Sequence, residues 1–483
     1  MRRPRSVLLT LLLGAFARVW ATEPAADFDG VWLGEIVAPN ARTVLGLAFV
    51  PTERGPLVHL HLPGMFLDDV NFGSAVIRDG ACSIEALNLS VSRHGDALTG
   101  TFGAARFPVE LHRAAAFPPK PPTPELPAAP APVWSQSLGA AAWASPVARD
   151  DVVYVGTIDG RFHAVSAGDG HPLWTWTGPY PLYGEALATA DRLYFVDDHC
   201  DLVCLARADG AFRWRTPLHD EGFAARPPTN ETFNHRCAAP VIDARNLLYV
   251  GSTDRGLYAI RALNGKMVWR HDAGSRIYAP VVLRGDEIVF AGFDGSVVAF
   301  NPRLLRESLR AKLGGPVVSA PVLAGDRIVV GSRDCLLYGL DGANGSVAWR
   351  DSYWFSWVES TPRLVDGMLY VGGSDYRRVS ALDPATGKVH WTTDVRGLTW
   401  GSPVVTAASV FAGTAGQNLA GTVITHTGGI VALDRQTGAA RWRYPWPAPV
   451  GADFTGCAGS LVLAAGNLVA AGVDGTLIAF PAN

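Results

Sequence analysis

Residues 257–269, LYAIRALNGKMVW, and residues 379–391, VSALDPATGKVHW, follow one pattern: an alanine, a glycine six positions later, and a tryptophan four positions after that. The glycine suits a turn that needs a backbone conformation with φ > 0. With a small residue accepted at the first position, the pattern occurs six times, as Ala164/Gly170/Trp174, Cys204/Gly210/Trp214, Ala259/Gly265/Trp269, Gly339/Gly345/Trp349, Ala381/Gly387/Trp391 and Ala432/Gly438/Trp442.

Two further units are incomplete. Residues 280–310 keep Ala299 but lose the glycine and the tryptophan, and we expect the stretch RLLRESLRAKL there to form a short helical excursion. The last unit, about 457–483, ends shortly after Ala479, and Trp134, which precedes the first unit, can supply its missing strand. A repeat of about 40 residues is typical of a β-propeller blade. The sequence therefore predicts an all-β protein: an eight-bladed β-propeller closed by the Trp134 strand and preceded by a small antiparallel β domain.

The tryptophans of the repeat are predicted to be structural. A buried indole removes a large apolar surface from water, and its position recurs with the blade and not with any one loop. The predicted set is Trp134, Trp174, Trp214, Trp269, Trp349, Trp391 and Trp442.

Composition limits the classes of function. Apolar residues make up 48% of the 483 residues, which excludes a wholly disordered chain. The balance of 41 basic and 44 acidic residues argues against non-specific nucleic-acid binding, which needs a basic surface. The sequence contains no nucleotide-binding loop, nucleophile elbow or zinc-protease motif.

The chain divides into four predicted segments. Residues 1–21 form a signal peptide, with Arg2, Arg3 and Arg5 before a short apolar run; an uncleaved N-terminal anchor is the alternative. Residues 27–113 alternate apolar and polar residues as antiparallel strands do. Residues 114–132 are a proline-rich linker, and residues 133–483 are the propeller. The mature chain is expected to be exported, to lack a transmembrane segment and to be a monomeric propeller.

Six cysteines, Cys82, Cys200, Cys204, Cys237, Cys335 and Cys457, fit no metal-binding spacing, and no metal ligand set is predicted. Disulfide pairing is open in an exported protein. Cys204 stands where other repeats carry alanine and is predicted to be a buried thiol.

The repeat strings at 257–269 and 379–391 resemble those of the pyrroloquinoline quinone (PQQ)-like propeller family, over about 350 residues. This resemblance implies that the tryptophan of each blade docks onto the next blade. The family contains quinoprotein dehydrogenases as well as non-catalytic members, such as the propeller subunit of the outer-membrane β-barrel assembly machinery. Residues 27–113, which open with DFDGVWLGEI, resemble the lipocalin-like β domain of some exported bacterial hydrolases.

Catalytic members of the family carry an adjacent cysteine pair over the quinone, and this sequence has neither adjacent cysteines nor a CxxCH haem motif. We therefore predict a non-catalytic, periplasmic or secreted bacterial propeller with no cofactor. It would bind an unidentified protein partner or small-molecule ligand at its channel rim, as a cell-envelope scaffold. The alternative is a PQQ-dependent quinoprotein oxidoreductase with calcium, acting on alcohols or sugars.

Propellers bind ligands at the mouth of the central channel, where loops lead into the innermost strands. Here these loops precede a recurring small-Pro-Val step. A competing interpretation is that the residues there plug the channel and pack blade against blade. No catalytic residue is predicted, and the predicted rim residues are Trp143, Tyr183, His235, Arg236, Tyr278, Trp354, Trp357, Glu359, Trp400 and Asp453.

Five recurrent aspartates offer an apparent ring of carboxylates, but tight turns favour aspartate. We assign them to turns, at Asp159, Asp254, Asp294, Asp334 and Asp474.

Overall fold

The structure is a computed structural model that describes residues 28–38, 41–53, 55–63, 67–103, 106–119, 126–219, 238–353, 356–417, 427–448 and 454–482. The predicted signal peptide lies outside these residues. The chain forms two compact units, the first made mainly of residues 1–124 and the second mainly of residues 125–483. No helix within the described ranges has both the length and the apolar character needed to cross a membrane.

The first unit is a curled antiparallel sheet of nine strands. A single-turn 3₁₀ helix, Glu85–Leu87, interrupts it between the sixth and seventh strands. The first four strands pair in chain order, and so do the fifth to the ninth. The ninth strand pairs with the first and joins the two groups, whereas the fourth and fifth do not pair within the described residues. The strands are β1 (Gly30–Ala38), β2 (Ala41–Val50), β3 (Leu57–Leu62), β4 (Leu67–Ser74), β5 (Val76–Arg78), β6 (Ala81–Ile84), β7 (Leu89–His94), β8 (Ala97–Phe102) and β9 (Phe107–Ala114).

The second unit is a propeller of eight blades, each built on four antiparallel strands, as the repeat predicted. Blades 1 to 4 consist of β11 (Val147–Arg149), β12 (Val152–Gly156), β13 (Arg161–Ser166), β14 (Pro172–Thr177); β15 (Leu187–Ala188), β16 (Arg192–Val196), β17 (Asp201–Ala206), β18 (Phe212–Pro217); β19 (Val241–Ile242), β20 (Leu247–Gly251), β21 (Gly256–Arg261), β22 (Met267–Asp272); and β23 (Val282–Arg284), β24 (Glu287–Ala291), β25 (Ser296–Asn301), β26 (Arg306–Lys312).

Blades 5 to 7 repeat this arrangement, and blade 7 carries an extra strand, β39, paired with its second strand. They consist of β27 (Val322–Ala324), β28 (Arg327–Gly331), β29 (Leu336–Asp341), β30 (Val347–Ser352); β31 (Arg363–Val365), β32 (Met368–Gly372), β33 (Arg378–Leu382), β34 (Val389–Asp394); and β35 (Val404–Val405), β36 (Ser409–Gln417), β37 (Gly429–Asp434), β38 (Ala440–Pro445), β39 (Phe454–Gly456).

Blade 8 combines strands from both ends of the propeller sequence, β40 (Val462–Ala464), β41 (Asn467–Ala471) and β42 (Thr476–Pro481) with β10 (Trp134–Ser137). Trp134 pairs with Ala479 across β10 and β42, which confirms the predicted closure. Closing the ring in this way removes the exposed edges that an open row of blades would leave.

The Ala-Gly-Trp pattern has a direct structural cause. In every blade except blade 4 the small residue on the third strand lies opposite the tryptophan of the fourth, as Ala381 lies opposite Trp391. The indole then reaches the next blade, where its N–H donates to a turn carbonyl at 2.9–3.2 Å: Trp134 to Ala167, Trp174 to Arg207, Trp214 to Ala262, Trp349 to Pro384 and Trp391 to Arg435.

The repeated glycine receives this indole. Gly387 has φ +72°, and a Cβ at its position would lie 2.5 Å from Cε3 of Trp349. A larger residue would meet both the steric cost of positive φ and the neighbouring blade. The contact between blades therefore explains why the glycine recurs at this spacing in the sequence.

The predicted helical excursion at RLLRESLRAKL is wrong. Residues 306–312 form β26, which pairs with β25 and places Leu309 opposite Ala299, where other blades have tryptophan. The buried side chains of β26 are Leu309 and Ala311, and they alternate with exposed ones. This period of two belongs to a strand, and tertiary pairing outweighs the helix propensity of arginine, leucine and lysine.

Candidate functional site

The eight blades surround a cavity on the propeller axis with an empty volume of about 560 Å³, a value that includes open solvent. Every blade contributes, mainly from the segment just before its first strand. The lining residues are Trp143, Ser145, Tyr183, Gly184, Glu185, Ala239, Tyr278, Pro280, Val318, Thr361, Trp400, Gly401, Ser402, Gly459 and Ser460.

One residue from each blade stands directly before the step into its first strand, and we call these eight residues the inner ring: Ser145, Glu185, Ala239, Ala279, Ala320, Thr361, Ser402 and Ser460. Hydroxyl groups in this ring join neighbouring blades. The backbone N–H of Ser402 donates to Ser460 Oγ at 2.9 Å, and that of Ser460 donates to Ser145 Oγ at 2.9 Å. The N–H of Ala320 likewise donates to Thr361 Oγ1 at 3.0 Å.

Glu185 is the one ionisable side chain of acidic or basic type among the described residues that line the cavity. Its side chain is open to the cavity. The surrounding protein nevertheless displaces bulk water and raises the pKa of the Glu185 carboxyl, while the charge of Arg363 acts in the opposite direction. A carboxylate in these surroundings is stabilised when a cationic group approaches it.

Aromatic rings form the cavity wall around this carboxyl group. Trp143 stacks on Trp400 with ring centroids 6.3 Å apart and meets Phe454 edge-on at 5.3 Å. Trp400 is buried and donates its indole N–H to Ser374 Oγ at 2.8 Å. Tyr278 is also buried, whereas Trp143 and Tyr183 are partly exposed. Trp143 and Tyr183 therefore have the accessible surface that a ligand needs.

Four of the ten predicted rim residues, Trp143, Tyr183, Tyr278 and Trp400, come together in this cavity. Glu359 lies outside the lining and forms a buried ion pair with Arg333, whose Nε is 2.8 Å from Glu359 Oε1. The same guanidinium lies 4.4 Å from the ring of Trp357. The remaining four, His235, Arg236, Trp354 and Asp453, lie outside the described residues.

The sequence interpretation missed Glu185. A signal existed, because Glu185 occupies a position at which the other blades have serine, threonine or alanine. A charged residue where a repeat prefers a small one departs from what packing requires. Comparison of the inner-ring positions alone would have identified it.

The five recurrent aspartates serve turns, as predicted. In each, Oδ1 accepts the backbone N–H two residues later, for example Gly256 N–H to Asp254 at 2.6 Å and Thr476 N–H to Asp474 at 2.9 Å. The other three, Asp159, Asp294 and Asp334, make the same bond. Cys204 is fully buried, as predicted, and all five described cysteines are free thiols.

The cavity does not fit PQQ and its calcium ion. The resemblance to catalytic members implies an adjacent cysteine pair, an asparagine and more than one carboxylate, whereas the described lining has Glu185 as its single carboxylate and no asparagine. The full sequence has no adjacent cysteines.

An eight-bladed ring, closed by an N-terminal strand and held by tryptophans that dock from blade to blade, defines the class of the protein: a PQQ-like β-propeller. Residues 128–225, 176–304 and 303–483 match the model of the family described as outer membrane protein assembly factor BamB, and the chain belongs to this family. The family confirms the predicted location in the bacterial cell envelope.

Individual relatives are distant. The chain is 25% identical over 281 residues to outer membrane protein assembly factor BamB of Burkholderia pseudomallei, which spans 54% of this chain and 68% of the relative. It is 24% identical over 258 residues to the protein of the same name from Shewanella oneidensis, covering 50% and 61% of the two chains. The protein of that name from Escherichia coli is 22% identical over 329 residues, covering 56% and 80%.

Two solved structures are similar. The computationally designed Ika8 protein superposes with a TM-score of 0.56 at 15% identity, over 72% of this chain and 99% of the other, which shows the fold alone. BamB from Moraxella catarrhalis gives a TM-score of 0.49 at 15% identity, over 71% of this chain and 93% of the other.

Proposed function

We propose that this protein is a non-catalytic, exported propeller that binds a protein partner at its channel rim and acts as a scaffold in outer-membrane protein assembly. Its family membership supports the process, since the relatives are called outer membrane protein assembly factors. The cavity supports the site. Its carboxyl and partly exposed aromatic rings suit a lysine or arginine side chain presented by a partner segment.

The observation that carries the proposal is that Glu185 lines the same cavity as Tyr183 and the other aromatic rings. An enzyme of the quinoprotein class needs a cofactor cage, and the lining residues offer none. Binding of a basic segment needs one acidic group, an aromatic wall and an open mouth. The described residues supply all three.

Deletion of the gene in its native host, followed by complementation, tests the proposal. We expect deletion to lower the abundance of β-barrel proteins in the outer membrane. Wild-type protein should restore it, and a variant combining Trp143→Ala, Tyr183→Ala and Glu185→Gln should restore less than half. Phe212→Ala is the matched control, because this aromatic side chain is 54% exposed on β18 and lies outside the cavity lining.

Two results would count against the proposal. Unchanged β-barrel abundance after deletion would contradict a role in assembly, and full complementation by a normally folded triple variant would remove the cavity from the function. Calorimetric titration with PQQ and calcium distinguishes this proposal from the alternative of a quinoprotein oxidoreductase, because saturable binding would favour the oxidoreductase.

A further inference from the structure

Blade 2 departs from the other blades at the turn between β16 and β17. In blades 1, 3, 4, 5 and 8 the third position of this turn is aspartate, which accepts the N–H two residues later, as Asp254 does. In blade 2 this position is His199, and Asp197 takes over the turn. Its Oδ1 accepts the backbone N–H of His199 at 3.0 Å and that of Asp201 at 3.1 Å. The side chains of His199 and Asp201 are therefore not needed to hold the turn.

A second histidine is placed beside this turn. The backbone N–H of Leu218, just after β18, donates to the carbonyl of Cys200 at 3.0 Å, which fixes the next residue, His219, next to the turn. The same backbone bond occurs in other blades, for example from Gly178 to Gly160 and from Ala273 to Arg255. The residues that follow it there are Pro179 and Gly274, neither of which has a ligating side chain.

The three side chains converge on one point. His199 Nδ1 lies 3.4 Å from Asp201 Oδ2, and His219 Nε2 lies 3.4 Å from Asp201 Oδ1. One ligand atom from each residue lies within 4.8 Å of the other two. These separations are long for N–H···O hydrogen bonds. Bonds of about 2.0–2.1 Å to a tetrahedral metal ion separate neighbouring ligand atoms by about 3.4 Å, which is the spacing of Asp201 from each imidazole.

Among the described residues, the surroundings cover two of the ligands and leave the third partly exposed. The side chains of Asp201 and His219 are 9% and 11% exposed, whereas that of His199 is 38% exposed. The ring of Tyr180 stacks on His199 at 4.5 Å. Arg215 is a cation beside the cluster, and its Nη2 binds Asp197 Oδ2 at 2.9 Å while its Nε stays 3.7 Å from Asp201. The guanidinium thus serves mainly Asp197, and Asp201 faces the two imidazoles.

We propose that His199, Asp201 and His219 bind a divalent transition-metal ion of the zinc class, with a fourth position open to water. Two neutral imidazoles and one carboxylate form a ligand set typical of zinc. The metal ion joins the β16–β17 turn to the chain that leaves β18 and so cross-links these two segments of blade 2. This site is separate from the channel cavity, whose lining contains none of the three residues.

The test uses full-length mature protein without a polyhistidine tag, stripped with a chelator and titrated calorimetrically with Zn²⁺ alone. We expect one equivalent to bind, with Kd raised at least tenfold by His199→Ala and by His219→Ala. His219→Cys should retain binding, because a thiolate also ligates zinc. His171→Ala is the control, since His171 is an exposed histidine before β14, outside the cluster, and its removal should leave Kd unchanged.

A second measurement guards against misfolded variants. Zn²⁺ should raise the melting temperature of the wild-type protein and of His171→Ala, but not that of His219→Ala, because a ligand stabilises the folded state that binds it. Absence of saturable binding by folded wild-type protein would overturn the proposal. Stoichiometric binding that survives both alanine substitutions would do the same, because donors elsewhere would then hold the metal ion.

Discussion

His163 lies on β13 with 7% of its surface exposed, between two threonine hydroxyls: Thr175 Oγ1 is 3.2 Å from Nδ1, and Thr157 Oγ1 is 3.4 Å from Nε2. Burial lowers the pKa of its imidazole from 6.5 to about 4, and Arg161 adds to the effect. The unfolded chain therefore binds a proton at a higher pH than the folded chain does. The stability that neutral His163 contributes is complete above pH 6.5 and is lost as the pH falls towards 4.

We predict that His163→Gln reduces the loss of unfolding free energy between pH 7 and pH 4 by about 3 kcal/mol. Urea denaturation of the two proteins at a series of pH values measures this difference. His390→Gln, at an exposed position on β34, serves as the control and should leave the pH profile as in the wild type. Parallel profiles for His163→Gln and wild type would show that this histidine titrates equally in both states.

Leu305 occupies the turn position at which blades 1, 2 and 3 have Gly170, Gly210 and Gly265, and it has φ +49°. Its side chain is 68% exposed and so gains little from burial. A leucine in this conformation costs about 1–2 kcal/mol. We predict that Leu305→Gly raises the unfolding free energy by about 1 kcal/mol, measured by chemical denaturation. An unchanged or lower stability would mean that the extra entropy of glycine in the unfolded chain offsets the relief of strain.

At the scale of elements, a buried ion pair joins neighbouring blades. Asp351 on β30 and Arg378 on β33 have side chains that are 3% and 5% exposed, and Nη2 lies 2.6 Å from Oδ2. The guanidinium also lies 3.6 Å from the ring of Tyr353 and 4.4 Å from that of Tyr376. Burial raises the pKa of the Asp351 carboxyl, while Arg378 opposes that rise. Each charge therefore depends on the other for its place in the core.

We predict that Arg378→Gln lowers the unfolding free energy by about 3–5 kcal/mol, because it leaves Asp351 buried without a counter-charge. The control is Lys312→Gln, which breaks an exposed pair with Asp294 (62% and 41% exposed) and should cost less than about 1 kcal/mol. Thermal and chemical unfolding measure both. Equal effects of the two substitutions would show that the blade 5–blade 6 pair is solvated in solution.

Sequence was informative where structure is local and repeated. Ala381, Gly387 and Trp391 lie within eleven residues: Trp391 lies opposite Ala381 and reaches the next blade, and Gly387 receives Trp349 of the preceding blade. Because every partner recurs at the same spacing, the spacing alone predicts the fold. Strand β26 was missed because its charged side chains point outwards and leave Leu309 and Ala311 as the only buried alternation. His199 and His219 are brought together by the pairing of β17 with β18 and by the backbone bond from Leu218 to Cys200, and no sequence pattern predicts this register.

At the scale of the whole molecule, the propeller should be an independent folding unit. Residues 126–483 retain β10, and the end of the proline-rich segment also pairs with blade 7, where Arg443 N–H donates to the Pro127 carbonyl at 3.0 Å. We predict that a chain of residues 126–483 folds with a cooperative thermal transition within a few degrees of that of the full-length protein. A chain that begins at residue 140, and therefore lacks β10, is the matched comparison and should lose cooperativity or aggregate. Failure of the longer fragment to fold would show that the propeller needs the first unit for its stability.

The closure of blade 8 also sets an order in time. β10 is among the first propeller segments to emerge during synthesis and β42 is among the last, so their hydrogen bonds wait for nearly the whole chain. Until then two strand edges stay open to any other chain, a state in which folding intermediates aggregate. A protein interrupted before β42 would lack the pairing of β10 with β42, and proteases would find an exposed strand edge instead of a closed ring. The ring therefore closes only after nearly all of the propeller sequence has been made.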